Sequence, residues 1–202
     1  MHFTVLATAA LTFGPAFAAT IFNYPTATCN GNSYKQCSNI GSFQCCDGSL
    51  SSKSVKSAKF INLGMTSFGV ICEGTNIVPC GPKLQSTMGL GACISASEKG
   101  RATMWGDCNY CRKRGVDGRD TLDIDLALKT AHEHDIGTVA ADVAGFLDKN
   151  RQPHQFNIND TVPADVKEQF EQYIDADSLY EDLPDDLKAY ELKGNHRRGI
   201  EL

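Results

Sequence analysis

Residues 29–46 read CNGNSYKQCSNIGSFQCC, with seven residues between Cys29 and Cys37, seven between Cys37 and Cys45, and Cys46 directly adjacent. Neighbouring cysteines rarely bond each other, because the Cβ separation a disulfide needs strains the peptide between them. Cys45 and Cys46 are therefore expected to reach two different partners, which makes this pair a junction of the fold. The remaining cysteines are Cys72, Cys80, Cys93, Cys108 and Cys111, so all nine of the chain lie between residues 29 and 111. An odd count leaves one thiol over, and spacing alone does not fix the connectivity.

Whether these thiols become struts or ligands depends on the compartment. The chain opens Met1-His2-Phe3, runs apolar from Val5 through Phe13 and ends that run with Ala16-Phe17-Ala18. A short apolar core followed by small residues at alternate positions is what a signal peptidase accepts, and it is too short to cross a bilayer. The usual positive charge before the core is missing, apart from the terminal amine and His2. Residues 1–18 thus read as a signal peptide cut after Ala18, and no later run reaches the ~20 apolar residues of a membrane helix. In an oxidising compartment closely spaced thiols become disulfides, whereas in the cytosol metal binding or catalysis would be favoured. The expected location is extracellular.

Between the cysteines lie short apolar or β-branched runs: Phe60-Ile61-Asn62-Leu63, Phe68 to Cys72, Ala92-Cys93-Ile94 and Ala102-Thr103-Met104-Trp105. Gly64, Gly74, Pro79, Gly81-Pro82, Gly89, Gly91 and Gly100 punctuate them, and no window keeps a helical period for three turns. Residues 19–111 are expected to form a small antiparallel β domain. A domain of that size buries a modest share of its surface, and loop-closing disulfides of ~2–4 kcal/mol each compensate.

The net charge of −5 divides unevenly: residues 20–111 carry +3 and residues 112–202 carry −8. A basic, crosslinked front and an acidic, cysteine-free back read as two different objects, with a basic and glycine-bearing hinge at 112–118. In the back half, Ile136 to Leu147 places Val139, Val143, Phe146 and Leu147 on a helical stripe, while Leu122, Ile124, Leu126 and Leu128 give an ambiguous pattern that Asp120 or Thr121 would cap as a helix. Pro163 to Tyr180 is the better helix, with Val166, Phe170, Tyr173 and Ile174 on one face and Asp165 and Glu168 near its positive end. The expected fold class is α+β: a disulfide-stapled antiparallel β domain followed by an acidic, mainly helical segment over 119–202.

Cys37, the pair Cys45-Cys46 and Cys72 resemble the first half of the hydrophobin pattern, in which a cysteine, an adjacent pair and another cysteine recur. Cys80, Cys93, Cys108 and Cys111 depart from it, since hydrophobins repeat the adjacent pair. By layout, residues 1–111 are more similar to the small secreted cysteine-rich fungal proteins, many of them effector-like. That resemblance implies binding at a host or cell surface, with an extracellular protein, a polysaccharide or a membrane receptor as partner. It implies no catalytic residue and no cofactor.

Several other motifs carry residue types used in catalysis, metal binding or processing. Cys108-Asn109-Tyr110-Cys111 has redox spacing but lacks the preceding parallel strand and following helix that lower a thiol pKa. His132-Glu133-His134-Asp135 holds metal-ligand types, yet residues two apart on a helix point away from each other and no third ligand stands at a recognisable spacing. Asp117, Asp120, Asp123 and Asp125 have the density of a calcium loop without its glycine and final glutamate in place. His154 is the histidine left for a hydrolase whose partners lie far away in sequence. Lys113-Arg114 is a dibasic processing candidate placed at the composition break, which would make the chain a toxin or peptide precursor; Arg197-Arg198 is a second. Asn159-Asp160-Thr161 is a glycan acceptor. The acidic balance, without a basic stripe interleaved with aromatics, argues against nucleic acid. A mean hydropathy of −0.26 and a charged tail argue against a surface-coat protein of hydrophobin type. The expected activity is non-catalytic binding outside the cell.

Overall fold

The structure, a computed structural model, describes residues 18–48, 54–74, 80–89, 93–108, 112–114, 120–133 and 137–192. Thirteen strands are assigned among them: β1 (Ala19–Tyr24), β2 (Ser33–Ile40), β3 (Cys45–Asp47), β4 (Val55–Ile61), β5 (Ser67–Cys72), β6 (Lys83–Met88), β7 (Cys93–Gly100), β8 (Ala102–Asp107), β9 (Arg112–Arg114), β10 (Asp120–Leu122), β11 (Thr138–Ala140), β12 (Val143–Leu147) and β13 (Pro153–Asn157). The helices are α1 (Ile124–Glu133), α2 (Ala164–Asp175) and the single turn α3 (Asp185–Lys188), with a 3-10 turn at Tyr180–Asp182.

A six-stranded sheet runs in the order β13-β12-β2-β1-β4-β7, and a five-stranded sheet in the order β11-β3-β8-β5-β6. Every pairing in the larger sheet is antiparallel; in the smaller one β11 runs parallel to β3. Strand alternation divides the residues between faces. From the larger sheet Ile21, Cys37, Ile40, Ala58, Phe60, Ile94 and Ala96 point at Ile71, Trp105 and Cys46 of the smaller, forming the core between them. Burying Trp105 requires a partner for its indole N–H, and Nε1 donates to the Ile40 carbonyl at 2.8 Å. Gly69 lets the sheets approach: a Cβ there would stand 2.7 Å from the Phe60 ring.

The far side of the smaller sheet is closed by α1, whose Leu128 is buried among Phe68, Val70 and Met104. Asp123 caps that helix, its Oδ1 accepting the Leu126 amide at 3.0 Å. In the same layer as the smaller sheet, α2 covers the β12–β13 end of the larger one. Phe170 and Ile174 of α2 meet Ala144, Phe146, Phe156, Leu183 and Leu187, with Val166 and Tyr173 packed at the margin.

The structure corrects two expectations. The stretch Ile136 to Leu147 does not form a helical stripe: it contains β11 and β12, and all five residues of β12 are buried. A strand covered on both faces reads as a continuous apolar run, in which Val143, Phe146 and Leu147 also satisfy a helical period. The segment after residue 118 is consequently not mainly helical, but contributes strands to both sheets. Across 112–118 the two halves are joined: β12 pairs with β2 from Val143↔Gln36 to Phe146↔Ser33, and β11 pairs with β3. The strands β1, β2, β6 and β13 carry many polar residues and gave no clear periodic signal.

Candidate functional site

Three disulfides among the described residues hold the front half. Cys29 bonds Cys93, Cys37 bonds Cys46, and Cys45 bonds Cys80. The adjacent pair on β3 therefore points one sulfur into the larger sheet and the other toward the segment leading into β6. Cys108 is also disulfide-bonded, while Cys111 lies outside the described residues. Cys72 is the free thiol among the described cysteines, buried on β5, and burial pushes its pKa up to about 12. A thiol so protonated is a small apolar side chain, not a nucleophile.

Charged groups gather in a small cleft between α2 and the two sheets, lined in part by Lys35, Asp47, Lys167, Phe170 and Glu171. Lys35 Nζ lies 2.7 Å from Glu171 Oε1 and 3.4 Å from Ser54 Oγ, with side-chain exposures of 3% and 9% for the ion pair. Beside it Arg101 Nη2 meets Asp47 Oδ2 at 3.0 Å. One turn beyond Glu171, partial desolvation holds the Asp175 carboxyl above the usual range; Lys35 and Lys99 oppose that shift and Glu171 reinforces it. Each buried charge thus faces an opposite one, and the pair Lys35–Glu171 fixes where α2 sits on β2. Sequence reading missed this cluster, because a lysine in a polar strand gives no sign that both faces of the strand are covered.

His154, the candidate base, stands on β13. Its Nδ1 is 2.7 Å from Glu191 Oε1, its Nε2 is 3.9 Å from Asp148 Oδ2, and its ring stacks on Tyr180 at 3.7 Å. Tyr180 donates to Glu191 Oε2 at 3.3 Å. With both ring nitrogens facing carboxylates, His154 clasps the segment 180–192 against the sheet edge, where Leu192 N also donates to the Gln155 carbonyl at 2.8 Å.

The other candidates are dispersed. Ala18 is half-buried immediately before β1. Lys113 and Arg114 belong to β9, paired with Thr121 and Asp120 of β10. Asn159 Oδ1 accepts the Thr161 amide at 2.9 Å and its hydroxyl at 2.6 Å, an Asx turn that occupies the acceptor side chain locally. Asp123 caps α1 and Asp125 pairs with Lys83 at 2.7 Å, so these two serve different partners. His132 and Glu133 end α1; Asp117, His134, Asp135, Asn109, Tyr110 and Arg197-Arg198 fall outside the described residues. Among the described residues no three His, Cys, Asp or Glu side chains converge as a metal site, and no helix is long and apolar enough to cross a membrane.

No protein-family model matches the chain, and no curated protein or solved structure matches it either.

Proposed function

We propose that this protein is exported and acts without catalysis, presenting its crosslinked β framework to a partner at a host or cell surface. The observation that carries this reading is the disulfide set: three bonds among the described residues, one buried between the two sheets and one buried on the outer face of the smaller sheet, are the crosslinking expected of a chain matured in an oxidising compartment. The partner class, an extracellular protein, polysaccharide or membrane receptor, follows from the effector-like layout of residues 1–111.

The alternatives draw less support from the fold. The large apolar side chains exposed among the described residues are Met65, Met88, Leu126 and Leu192, which come from separate elements and form no film-making face. As a precursor cut after Arg114, the chain would release a front half stripped of β11 and β12, both of which pair with its own strands.

The test is a panel of extracellular ligands against the purified secreted chain, run beside peptide, glycan, lipid and nucleic-acid hydrolysis assays. Saturable binding to one extracellular polymer or surface protein, lost when the disulfides are reduced, is the expected result. Hydrolysis abolished by a single substitution such as His154→Ala, in a variant that still folds, would overturn the reading.

A further inference from the structure

We infer that Cys29–Cys93 is a reducible latch, holding a strap of chain over a tyrosine cluster on the outer face of the larger sheet. The alternation that sends Ile21 and Asn23 inward sends Phe22 and Tyr24 outward, where they join Tyr34 and Cys29, with Ile61 packed alongside. Phe22 and Tyr34 meet edge to face at 5.2 Å, and Tyr24 lies 5.7 Å from Tyr34. An outer sheet face would leave such rings in water, yet Phe22, Tyr24 and Tyr34 are only 2%, 2% and 1% exposed. The connection between β1 and β2, residues 25–32, closes over them.

The strap is held unequally along its length. At its β2 end Arg151 donates to Asn32 Oδ1 at 2.9 Å and to the Asn30 carbonyl at 3.1 Å, while Asn32 N donates to Asp177 Oδ1 at 2.7 Å. Around Thr26 to Thr28 the hydrogen bond is internal, from Thr26 Oγ1 to the Thr28 carbonyl. The tie to the sheet there is the disulfide from Cys29 to Cys93 on the edge strand β7.

Of the three disulfides whose two cysteines are both described, that bond is also the accessible one. Cys93 is exposed, whereas Cys37, Cys46, Cys45 and Cys80 are 0–3% exposed. Beneath the strap two hydroxyls, Tyr24 Oη and Ser57 Oγ, are buried without a hydrogen-bond partner, on residues paired directly across β1 and β4. Unsatisfied buried hydroxyls are costly, so an arrangement that lets them reach water or a polar ligand is available at reduced cost once the strap lifts. A shallow crevice lined by Tyr24, Cys29, Tyr34, Leu147 and Arg151 already opens at the strap's margin.

The chemistry needs an external low-molecular-weight thiol. Its thiolate attacks Cys93 Sγ; the Cys29–Cys93 bond breaks with its electron pair on Cys29, which takes up a proton. A second reagent thiolate then attacks the reagent sulfur of that mixed disulfide, and Cys93 leaves as a thiolate that takes up a proton, giving two protein thiols and one reagent disulfide, a two-electron reduction. Exposed disulfides are the labile ones in such exchange. Lifting the strap uncovers a surface of aromatic rings and hydroxyls on the protein's outer face.

The experiment is a dithiothreitol titration of the secreted chain, with alkylation at each step, peptide mass mapping and hydrogen exchange. Cys29 and Cys93 should label at a reductant concentration at least about tenfold below that needed for Cys37, Cys45, Cys46 and Cys80, with faster exchange confined to residues 25–31. Simultaneous labelling of all six, or unchanged exchange over 25–31 after selective reduction, would overturn the inference. The double variant Cys29→Ser with Cys93→Ser supplies a check without reductant: its tyrosine difference spectrum should match that of the selectively reduced protein, and a spectrum identical to the oxidised protein would refute it.

Discussion

The front half, through Cys108, and the back half, from Asp120, are joined in one pair of sheets yet are fastened by different means. In front, covalent bonds between β2, β3 and the approach to β6 pin short strands that carry Ser, Lys, Gln and Asn at many positions. Behind, no cysteine is present, and the work falls to an aromatic cluster of Phe146, Phe156 and Phe170 with centroids 5.3–6.2 Å apart, plus the buried pair Lys35–Glu171. A disulfide acts mainly by restricting the unfolded chain, whereas ring packing and a buried ion pair act in the folded state. The two halves should therefore fail differently.

Breaking the back half's attachment should have the largest effect. Glu171→Ala leaves Lys35 charged and buried, at an expected cost of about 3–5 kcal/mol, whereas replacing both partners together by Met and Leu should come close to neutral. Urea unfolding of these two variants beside the unaltered protein measures this, and equal destabilisation by the single and double changes would contradict it. Removing Cys45–Cys80, which spans 35 residues, should cost about 3–4 kcal/mol, and removing Cys37–Cys46, which spans 9, about 2–3 kcal/mol, if loop entropy governs the front half. The same denaturation series reads both.

Where the halves touch, Gly145 of β12 lies under the Tyr34 ring, and a Cβ would stand 2.1 Å from it. Gly145→Ala should therefore cost about 1–3 kcal/mol through overpacking, while Gly137→Ala, which meets nothing within 4 Å, should leave the transition midpoint unchanged. Smallest is a pH effect in the β12–β13 turn. Asp148 is held below the usual carboxylate range, chiefly by the Gln152 amide and also by the Asn150 amide and His154. A lowered folded value gives stability that is present above the unfolded pKa of about 3.9 and lost as pH falls through the lowered value. Amide protection at Asn150 and Gln152, taken relative to the intrinsic exchange rate at each pH, should fall below about pH 4 in the native protein, and Asp148→Asn should flatten that fall.

Sequence alone disclosed the front half's chemistry better than its strands. Adjacent cysteines such as Cys45 and Cys46 rarely bond each other for geometric reasons, and the fold takes them to Cys80 and Cys37. Phe68 to Cys72 and Ala102 to Trp105 announced themselves through apolar and β-branched content and lie in β5 and β8. Ser33 to Ile40 did not, because Lys35 and Ser33 face α2, and the groups that satisfy them, the Glu171 carboxylate and the Ile174 backbone carbonyl, are more than a hundred residues away in the chain. Val143 to Leu147 misled for the opposite reason: complete burial erases the period that separates strand from helix. The clasp at His154 was legible only as a lone histidine, since Glu191 and Asp148 reach it through tertiary folding.

The claim that the back half completes the front half's sheets is tested most directly by cutting the chain between them. A specific protease site placed between Arg114 and Asp120 would divide the protein without breaking any disulfide, since all nine cysteines precede residue 112. After cleavage the two fragments should elute as one species in native non-reducing chromatography and separate only in denaturant. Fragments that part in native buffer, with the front half still folded, would contradict the account.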